Sequence, residues 1–272
     1  MGYALVHGVL GLVNFANGNI YMMGAFITLV FFSAFDGYFV IAFILSALLT
    51  AFFGYGMDAF GLRRLRMKNS PKMTGIIMTL GFSMVIEHGV RLFITSESVA
   101  FPAYLDRGFF KIGNTVINWS QIIILGCAML IMLFTTILVN KTKIGKAMLA
   151  VSQNPEASML MGINTNRVIS FTFALSSFIA MASGTLVGMY YHVMDSSMGA
   201  TVGMKALASA VLGGIGSLPG AMIGGVIIGI LEALGASYIS SAYRNAIAFI
   251  VLIVIILIKP SGLLGKKQIE KV

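Results

Sequence analysis

The 272-residue chain is 58% hydrophobic and only 10% charged, so it has too few polar residues to cover a soluble globular protein. Its apolar stretches are long and lack period-2 alternation, which favours helices over a β-barrel. The composition therefore predicts an all-α polytopic membrane protein. The net charge of +9 falls in short clusters between apolar spans, which argues against a nucleic-acid partner and for retained loops beside membrane lipid.

About 20 apolar residues are needed to cross the hydrocarbon core as a helix. The sequence predicts about eight transmembrane helices, some short or broken. Their approximate positions are 20–35, 39–60, 73–94, 119–139, 168–191, 202–215, 219–238 and 242–258. The opening stretch 3–13 is too short to span and is predicted to be a re-entrant piece or the remnant of a longer helix.

Clusters of Lys and Arg predict the orientation, because cytoplasmic loops carry an excess of these residues. They lie at 63–72, 141–167 and 259–271. Two predicted spans separate the first cluster from the second, and four separate the second from the third. All three clusters, and with them the C-terminus, are therefore expected to be cytoplasmic.

Nothing in the sequence predicts nucleotide, metal or hydrolytic chemistry. A P-loop needs G-x-x-x-x-G-K-[ST], whereas Gly265–Lys266 is followed by Lys267. The three histidines lie in separate segments, and the single cysteine, Cys127, excludes disulfides and Cys-based metal sites within one chain. Any energy that drives this protein is therefore expected to come from a gradient or from another chain.

Segment 141–167 is a marked interruption between two predicted spans. Ile144, Met148 and Val151 recur at helical spacing before Asn154–Pro155 breaks the helix. A second short helix would begin at Pro155 and finish at Gly162. Such a pair, lying at the cytoplasmic surface, would suit a groove on a partner; an amphipathic loop resting on lipid headgroups is the alternative.

Segment 211–229 is rich in glycine. Gly216, Gly220 and Gly224 repeat every four residues, and Gly225 and Gly229 continue that spacing on a neighbouring ridge. Such ridges let helices approach closely. Residues 213–219 also resemble a break inside the membrane, which is tolerated only within protein or beside a water-filled path. Tight helix packing without a transport role is the alternative.

Segment 11–24 places Asn14, Asn17 and Asn19 among apolar residues, with Gly18 between them. These amides are able to cap a helix, to hydrogen-bond across helices or to bind a zwitterion. Helix capping is the favoured interpretation.

Ionisable residues inside membrane spans are functional candidates by default. The sequence has the following: Asp58, Glu87, His88, Arg91, Lys205, Glu232 and Arg244. Glu87 and Arg91 are four residues apart and are expected to pair. Asp58, Lys205 and Arg244 lie near predicted span ends, where snorkelling to the interface is expected. Glu232 has no predicted partner.

Four blocks of sequence together resemble the permease subunits of the branched-chain amino-acid ABC transporter family, with its urea and short-chain amide relatives. They are NFANG at 14–18 with YMMGA at 21–25, GKAMLAVSQN at 145–154 with LMGI at 160–163, GGIGSLPGA at 213–221, and KPSGLLG at 259–265. The blocks occur in the family's order and cover the chain from near its start to its end. Asn17 and Asn19 stand where the family usually has His and Glu, and Lys146 and Leu149 replace an Arg pair. Family members usually carry a further apolar segment ahead of the first block, so the chain starts late by comparison.

The resemblance implies one permease domain over residues 1–272, with neither catalytic residues nor a cofactor. It implies import of branched-chain or other hydrophobic amino acids across a bacterial or archaeal inner membrane. The partners it implies are a second permease subunit, identical or homologous, two cytoplasmic ATPases and a soluble substrate-binding protein.

The resemblance also assigns roles to residues. Segment 141–167 would couple the permease to the ATPases, through Gly145, Ala147, Ala150, Gln153, Asn154, Pro155, Ala157 and Gly162. The translocation path and its helix packing would involve Asn14, Gly18, Gly213, Gly214, Gly216, Ser217, Gly220 and Gly224. Glu87, Arg91 and Glu232 would be intramembrane ionisable groups.

The competing hypothesis is a secondary transporter or channel driven by an ion gradient. Few ionisable residues lie inside the spans, which disfavours a proton relay. The segment 141–167 is also more elaborate than a plain turn between two spans.

Overall fold

The computed structural model describes residues 1–68, 70–102, 108–112, 115–214, 216–238, 240, 243–259 and 262–264. Helices dominate these residues. They are α1 (Gly2–Leu10), α2 (Ala16–Ala34), α3 (Phe39–Gly56), a π-helical turn (Met57–Leu62), α4 (Arg63–Met67), α5 (Lys72–Phe93), α6 (Trp119–Lys141), α7 (Lys143–Gln153), α8 (Pro155–Leu160), α9 (Thr165–Tyr191), α10 (Met198–Gly213), α11 (Leu218–Tyr238) and α12 (Arg244–Ile258).

Six helical segments in the described part of the chain are long and apolar enough to cross a membrane: α2, the continuous rod from α3 to α4, α5, α6, α9 and α11. Two further apolar helices, α10 and α12, are shorter. The all-α polytopic fold, with some short spans, is therefore confirmed. Ile215 and Ala242, which bound two predicted spans, lie outside the described residues.

Helix α9 forms the centre of the bundle, and most of its residues are buried. Small and polar residues let its neighbours approach closely. A Cβ on Gly54 of α3 would collide with Ser177 of α9. Thr28 of α2 and Thr185 of α9 hydrogen-bond across their interface at 3.0 Å. Small residues and interhelical hydroxyl bonds are the usual means of packing helices in lipid.

Helix α1 is only nine residues long and has a buried N-terminal half. Its first residue, Gly2, lies beside Asn17 in the first turn of α2. Gly11 ends α1 in the left-handed region with φ of 63°, and residues 11–15 lead back to α2. A nine-residue helix is too short to span the membrane, as the sequence predicts, and both alternatives for this stretch stay predictions.

Helices α3, α5 and α6 expose apolar side chains along their outer faces, among them Phe52, Met84 and Leu130. Hydrocarbon tails are as apolar as these side chains, so such faces are expected to lie against lipid.

Two short strand pairs lie at the bundle end opposite α7 and α8. Strand β1 (Val99–Ala100) pairs antiparallel with β4 (Val193–Met194), with Val99 opposite Met194. Strand β2 (Phe109–Ile112) pairs antiparallel with β3 (Thr115–Asn118), with Phe109 opposite Asn118. The first pair joins the segment after α5 to the segment after α9.

Asp195 follows β4 and holds this end together. Its carboxylate accepts a hydrogen bond from the backbone N–H of Ser197 at 2.6 Å and one from Ser98 Oγ at 3.2 Å. Hydrogen bonds from the backbone N–H and hydroxyl of Ser197 are the main cause that holds the pKa of Asp195 below its usual value.

Candidate functional site

The segment between α6 and α9 folds as two short helices with capped ends. Thr142 Oγ1 accepts the Gly145 N–H at 3.1 Å at the start of α7. Asn154 Oδ1 accepts the Ala157 N–H at 3.0 Å, and Pro155 occupies the first turn of α8. Side-chain caps of this kind satisfy backbone donors that a short helix leaves free. The break at Asn154–Pro155 therefore lies where the sequence predicts it.

Gly162 ends the helix pair in the left-handed region, with φ of 81°. Its N–H donates to Met159 O and the Ile163 N–H donates to Ser158 O, both at 3.0 Å. These two bonds form the glycine-terminated C-cap known as a Schellman motif. The predicted end of the second helix at Gly162 is therefore confirmed.

One face of α7 packs inside the chain. Gly145, Met148 and Val151 are buried, and a Cβ on Gly145 would collide with the backbone carbonyl oxygens of Leu138 and Val139 at the end of α6. Gly145 thus allows α7 to fold back on α6. A charged side chain there would disturb the fold itself. A loss of activity in a Gly145→Glu variant would therefore not show that Gly145 couples the permease to an ATPase.

The opposite face of the helix pair is exposed and partly apolar. Leu160 is 89% exposed and Met161 is 83% exposed, and Met159 beside them is exposed too. Contiguous apolar residues on a polar segment mark interaction sites. We name Met159, Leu160 and Met161 the coupling patch. Sequence reasoning left these three out of the coupling residues, although the apolar LMGI block at 160–163 was the signal for two of them.

The glycine-rich segment forms a break between α10 and α11. Gly214 and Gly216 have φ of 105° and 86°, which ends α10 and turns the chain. Ser217 Oγ accepts the Gly220 N–H at 3.1 Å as α11 begins. Gly216 also lies against Gly8 of α1, where a Cβ on Gly8 would be 3.4 Å from the Gly216 Cα.

The segment after α12 covers the carbonyl end of α10. The N–H of Leu263 donates to Leu212 O at 2.8 Å, and the N–H of Leu264 donates to Gly213 O at 3.0 Å. Two of the four sequence blocks, at 213–221 and at 259–265, therefore meet at this break, and Gly8 of α1 packs against it.

Close packing in the glycine segment involves fewer residues than the fourfold repeat predicts. Cβ atoms on Gly220 and Gly224 would collide with the carbonyl oxygens of Gly213 and Ser209 in α10. Gly216 precedes α11 and is not part of that helical ridge. The neighbouring ridge is not a close contact either, since a Cβ on Gly229 would have no atom within 4 Å.

Comparisons with known proteins agree with this architecture. A model of the family described as branched-chain amino acid transport system / permease component matches residues 1–256. The chain belongs to this family. The high-affinity branched-chain amino acid transport system permease protein LivH of Escherichia coli K12 is 35% identical over 283 residues, which cover 100% of this chain and 92% of LivH.

Two further relatives extend the comparison. The corresponding BraD protein of Pseudomonas aeruginosa is 34% identical over 282 residues, covering 100% of this chain and 92% of BraD. The ribose import permease protein RbsC of Haemophilus influenzae is 30% identical over 207 residues, covering 72% of this chain and 61% of RbsC. No solved structure matches significantly. The relatives support a permease component of an ABC importer and give no support to the gradient-driven alternative.

The three asparagines of segment 11–24 act in two ways. Asn14 Oδ1 accepts the Ala16 N–H at 3.2 Å and so caps the start of α2, as predicted. Asn17 and Asn19 instead bridge helices: Asn17 Oδ1 accepts from Ser176 Oγ of α9 at 2.8 Å, and Asn19 Nδ2 donates to Ser83 O of α5 at 2.7 Å.

Gly18 lies between these two asparagines at a helix crossing. A Cβ there would collide with the Gly199 carbonyl oxygen and lie 2.7 Å from the Gly203 Cα. Gly18 therefore brings α2 against α10.

Four of the ionisable residues predicted to lie in the membrane form two ion pairs. Arg91 Nη2 donates to Glu87 Oε1 at 2.7 Å, as the spacing predicts, and Arg91 Nε also donates to Ser196 Oγ at 3.1 Å. Glu232 of α11 pairs with Lys205 of α10 at 3.0 Å. The sequence gave Glu232 no partner and assigned Lys205 to snorkelling, and both expectations are wrong because the α10–α11 hairpin places the two side chains together.

Asp58 is fully buried in the π-helical turn, so its expected snorkelling is also wrong. Arg66 donates two hydrogen bonds to its carboxylate, at 2.6 and 3.0 Å, and Ser170 Oγ of α9 donates a third at 2.6 Å. This bidentate pair offsets the cost of burying the carboxylate. It also ties the π-helical turn at the end of α3 to Ser170, five residues after the start of α9.

The permease therefore has two regions that hold most of the predicted site residues. One is the capped helix pair α7–α8. The other is the α10–α11 break, against which Gly8 of α1 packs. Asn14 and Gly18 lie apart from it at the start of α2, where Gly18 packs on Gly199 and Gly203 of α10. Glu87, Arg91 and Glu232 lie in separate ion pairs and belong to neither region.

Proposed function

We propose that residues 1–272 form one transmembrane domain, and that this domain belongs to an importer for branched-chain amino acids. The relatives named for branched-chain amino acid transport, which align with the whole chain, support this substrate class over sugars. The permease would pair with an identical or homologous permease, bind two cytoplasmic ATPases and receive substrate from a soluble binding protein.

The proposed coupling of ATP hydrolysis to transport rests on one observation, the capped helix pair α7–α8 with its exposed coupling patch. Caps at Thr142, Asn154 and Gly162 hold α7 and α8 in one arrangement. When the ATPases close on ATP, they would move this pair as a unit. A rigid segment with an apolar surface is suited to receive that motion, because such a surface buries well against a partner.

The buried side of α7 offers a route from the ATPases to the membrane break. Met148 of α7, Leu5 of α1 and Leu218 of α11 belong to one buried apolar cluster. Movement of α7 would therefore displace α1 and the start of α11. The α10–α11 break would flank the translocation path and change shape as the permease alternates its access.

Reconstitution tests this function. With the cognate ATPases and binding protein in liposomes, the permease is expected to accumulate L-leucine, L-isoleucine or L-valine only when ATP is supplied. The permease alone, under an imposed proton or sodium gradient, should accumulate none of them. Accumulation by the permease alone on either gradient would contradict the importer mechanism.

The orientation is a separate prediction. Cysteines placed at Lys68 and Asn154, in a chain with Cys127→Ala, are expected to react with a membrane-impermeant maleimide only after cells are permeabilised. The reason is that both positions lie in Lys/Arg-rich segments. Labelling at Asn154 in intact cells would place the coupling helices outside. Lys267 in the C-terminal cluster lies outside the described residues, and the cytoplasmic C-terminus is proposed on the same charge argument.

A further inference from the structure

A groove of about 470 Å³ lies between α3 and α9 on the outside of the bundle. Its volume is within the range of small-molecule sites, roughly 300–1,000 Å³. All the described residues that line it are Phe, Ile, Leu or Ala. Three alanines leave space that the larger phenylalanines beside them do not fill. These residues are Ala47, Ala51, Ala174, Phe43, Phe171 and Phe178.

The groove opens on the side of α3 that is expected to lie against lipid. Ile44 and Leu48 line it and are 52% and 65% exposed. A polar solute would lose its hydrogen bonds to water on entering a space without polar side chains. A lipid tail loses none, because it is as apolar as leucine. From Phe43 to Ala51 the groove extends about 12 Å along α3, so it suits a stretch of hydrocarbon chain.

An unpaired guanidinium lies at one end of the groove. Arg167 precedes Phe171 of the lining by four residues, which places both on one face of α9 about 6 Å apart along the helix. Its side chain is exposed and makes no hydrogen bond or ion pair with the residues that the structure describes. The bond from Ser170 to Asp58 places this start of α9 beside the end of α3. The charged end of the groove is therefore the end nearest to α7 and α8.

Tyr55 marks the same end of the groove on α3. It follows Ala51 of the lining by four residues and is 41% exposed. Tyrosine is enriched at the level of the lipid headgroups, and a guanidinium binds two phosphate oxygens at once. A headgroup that carries its own cation would partly cancel the attraction to Arg167. The charge at this end therefore favours a lipid with a net negative charge.

We propose that the α3–α9 groove binds one anionic phospholipid, with an acyl chain between the two helices and the phosphate on Arg167. The lipid then links the start of α9, which follows the coupling helices directly, to the membrane surface. A transmembrane helix of a second permease chain is the competing occupant. It would cover the apolar groove but supply no anion to Arg167.

The test titrates the purified 272-residue chain in detergent with phosphatidylglycerol and, separately, with phosphatidylethanolamine. Native mass spectrometry gives the Kd of the first bound lipid. Phosphatidylglycerol is expected to bind about tenfold more tightly. Arg167→Gln alters an exposed side chain, so the chain should fold, and the preference should disappear. Lys68→Gln is the matched control, because it removes the same charge from an exposed position at the end of α4, roughly 25 Å along the helical rod from Ala51. It should keep the preference.

A second pair of variants tests the apolar part of the groove. Ala51→Phe fills the groove from α3, so both lipids should bind about tenfold more weakly. Leu49→Phe adds bulk two residues away, at a position that is 46% exposed and does not line the groove. Binding of both lipids should be unchanged in this control.

Three results would overturn the proposal. A retained preference in Arg167→Gln, or an equal loss in Lys68→Gln, would show that net charge rather than this site attracts the lipid. Unchanged binding in Ala51→Phe would place the lipid outside the groove. A disulfide between two chains that carry Leu48→Cys and Cys127→Ala, formed in membranes, would show that a second permease covers the groove.

Discussion

Replacing Gly220 or Gly224 of α11 with leucine is expected to abolish folded permease. A Cβ at either position already meets backbone carbonyl oxygens of α10, which cannot move aside as a flexible side chain can. Overpacking typically costs about 1–3 kcal/mol and occasionally more, which is a large part of the stability of a typical protein. The measurement is the yield of monodisperse permease after purification, together with ATP-driven uptake.

Gly229→Leu is the matched control on the same helix, since nothing lies within 4 Å of a Cβ there. It should purify and transport normally. Normal yield and uptake in the Gly224 variant would show that α10 and α11 do not approach as closely as described. Failure of the Gly229 variant would trace the effect to α11 itself rather than to its contact with α10.

Charging the coupling patch is expected to separate folding from energy coupling. Leu160→Asp and Met161→Asp alter side chains that are 89% and 83% exposed, so the permease should fold and insert. Burial of an unpaired carboxylate against an ATPase would be costly. ATP-driven uptake and the ATP hydrolysis stimulated by the binding protein should therefore fall together, by at least about tenfold.

Met67→Asp provides the comparison for the coupling patch. Met67 is an apolar residue, 72% exposed, at the end of α4 and outside the helix pair. The same charge there should leave uptake unchanged. Full activity in both Leu160→Asp and Met161→Asp would exclude the coupling patch as the contact with the ATPases.

The helices and their breaks were predictable because they follow from local rules. Hydropathy located the membrane spans, and Asn154–Pro155 and Gly162 marked the ends of α8 through backbone conformation alone. The Glu87–Arg91 pair was predictable for the same reason, since a single helix fixes residues four apart on one face.

The partners of Asp58 and Glu232 were not predictable from the sequence. Asp58 meets Arg66, eight residues away, only because a π-helical turn interrupts the regular helical spacing. Lys205 and Glu232 lie on different helices, so their contact depends on how α10 and α11 cross. The predicted ridge of Gly216, Gly220 and Gly224 was wrong at Gly216 for a related reason. The fourfold spacing assumes that one helix continues through the break between α10 and α11.

The way in which α10 ends has a consequence for biosynthesis. The carbonyls of Leu212 and Gly213 receive their hydrogen bonds from Leu263 and Leu264, which the ribosome adds some fifty residues later. Until those residues emerge, these two carbonyls lack the hydrogen bonds that they have in the folded permease, and an unsatisfied carbonyl is costly away from water. We therefore expect the α10–α11 hairpin to be completed only after α12 has inserted, although it occupies an earlier place in the chain.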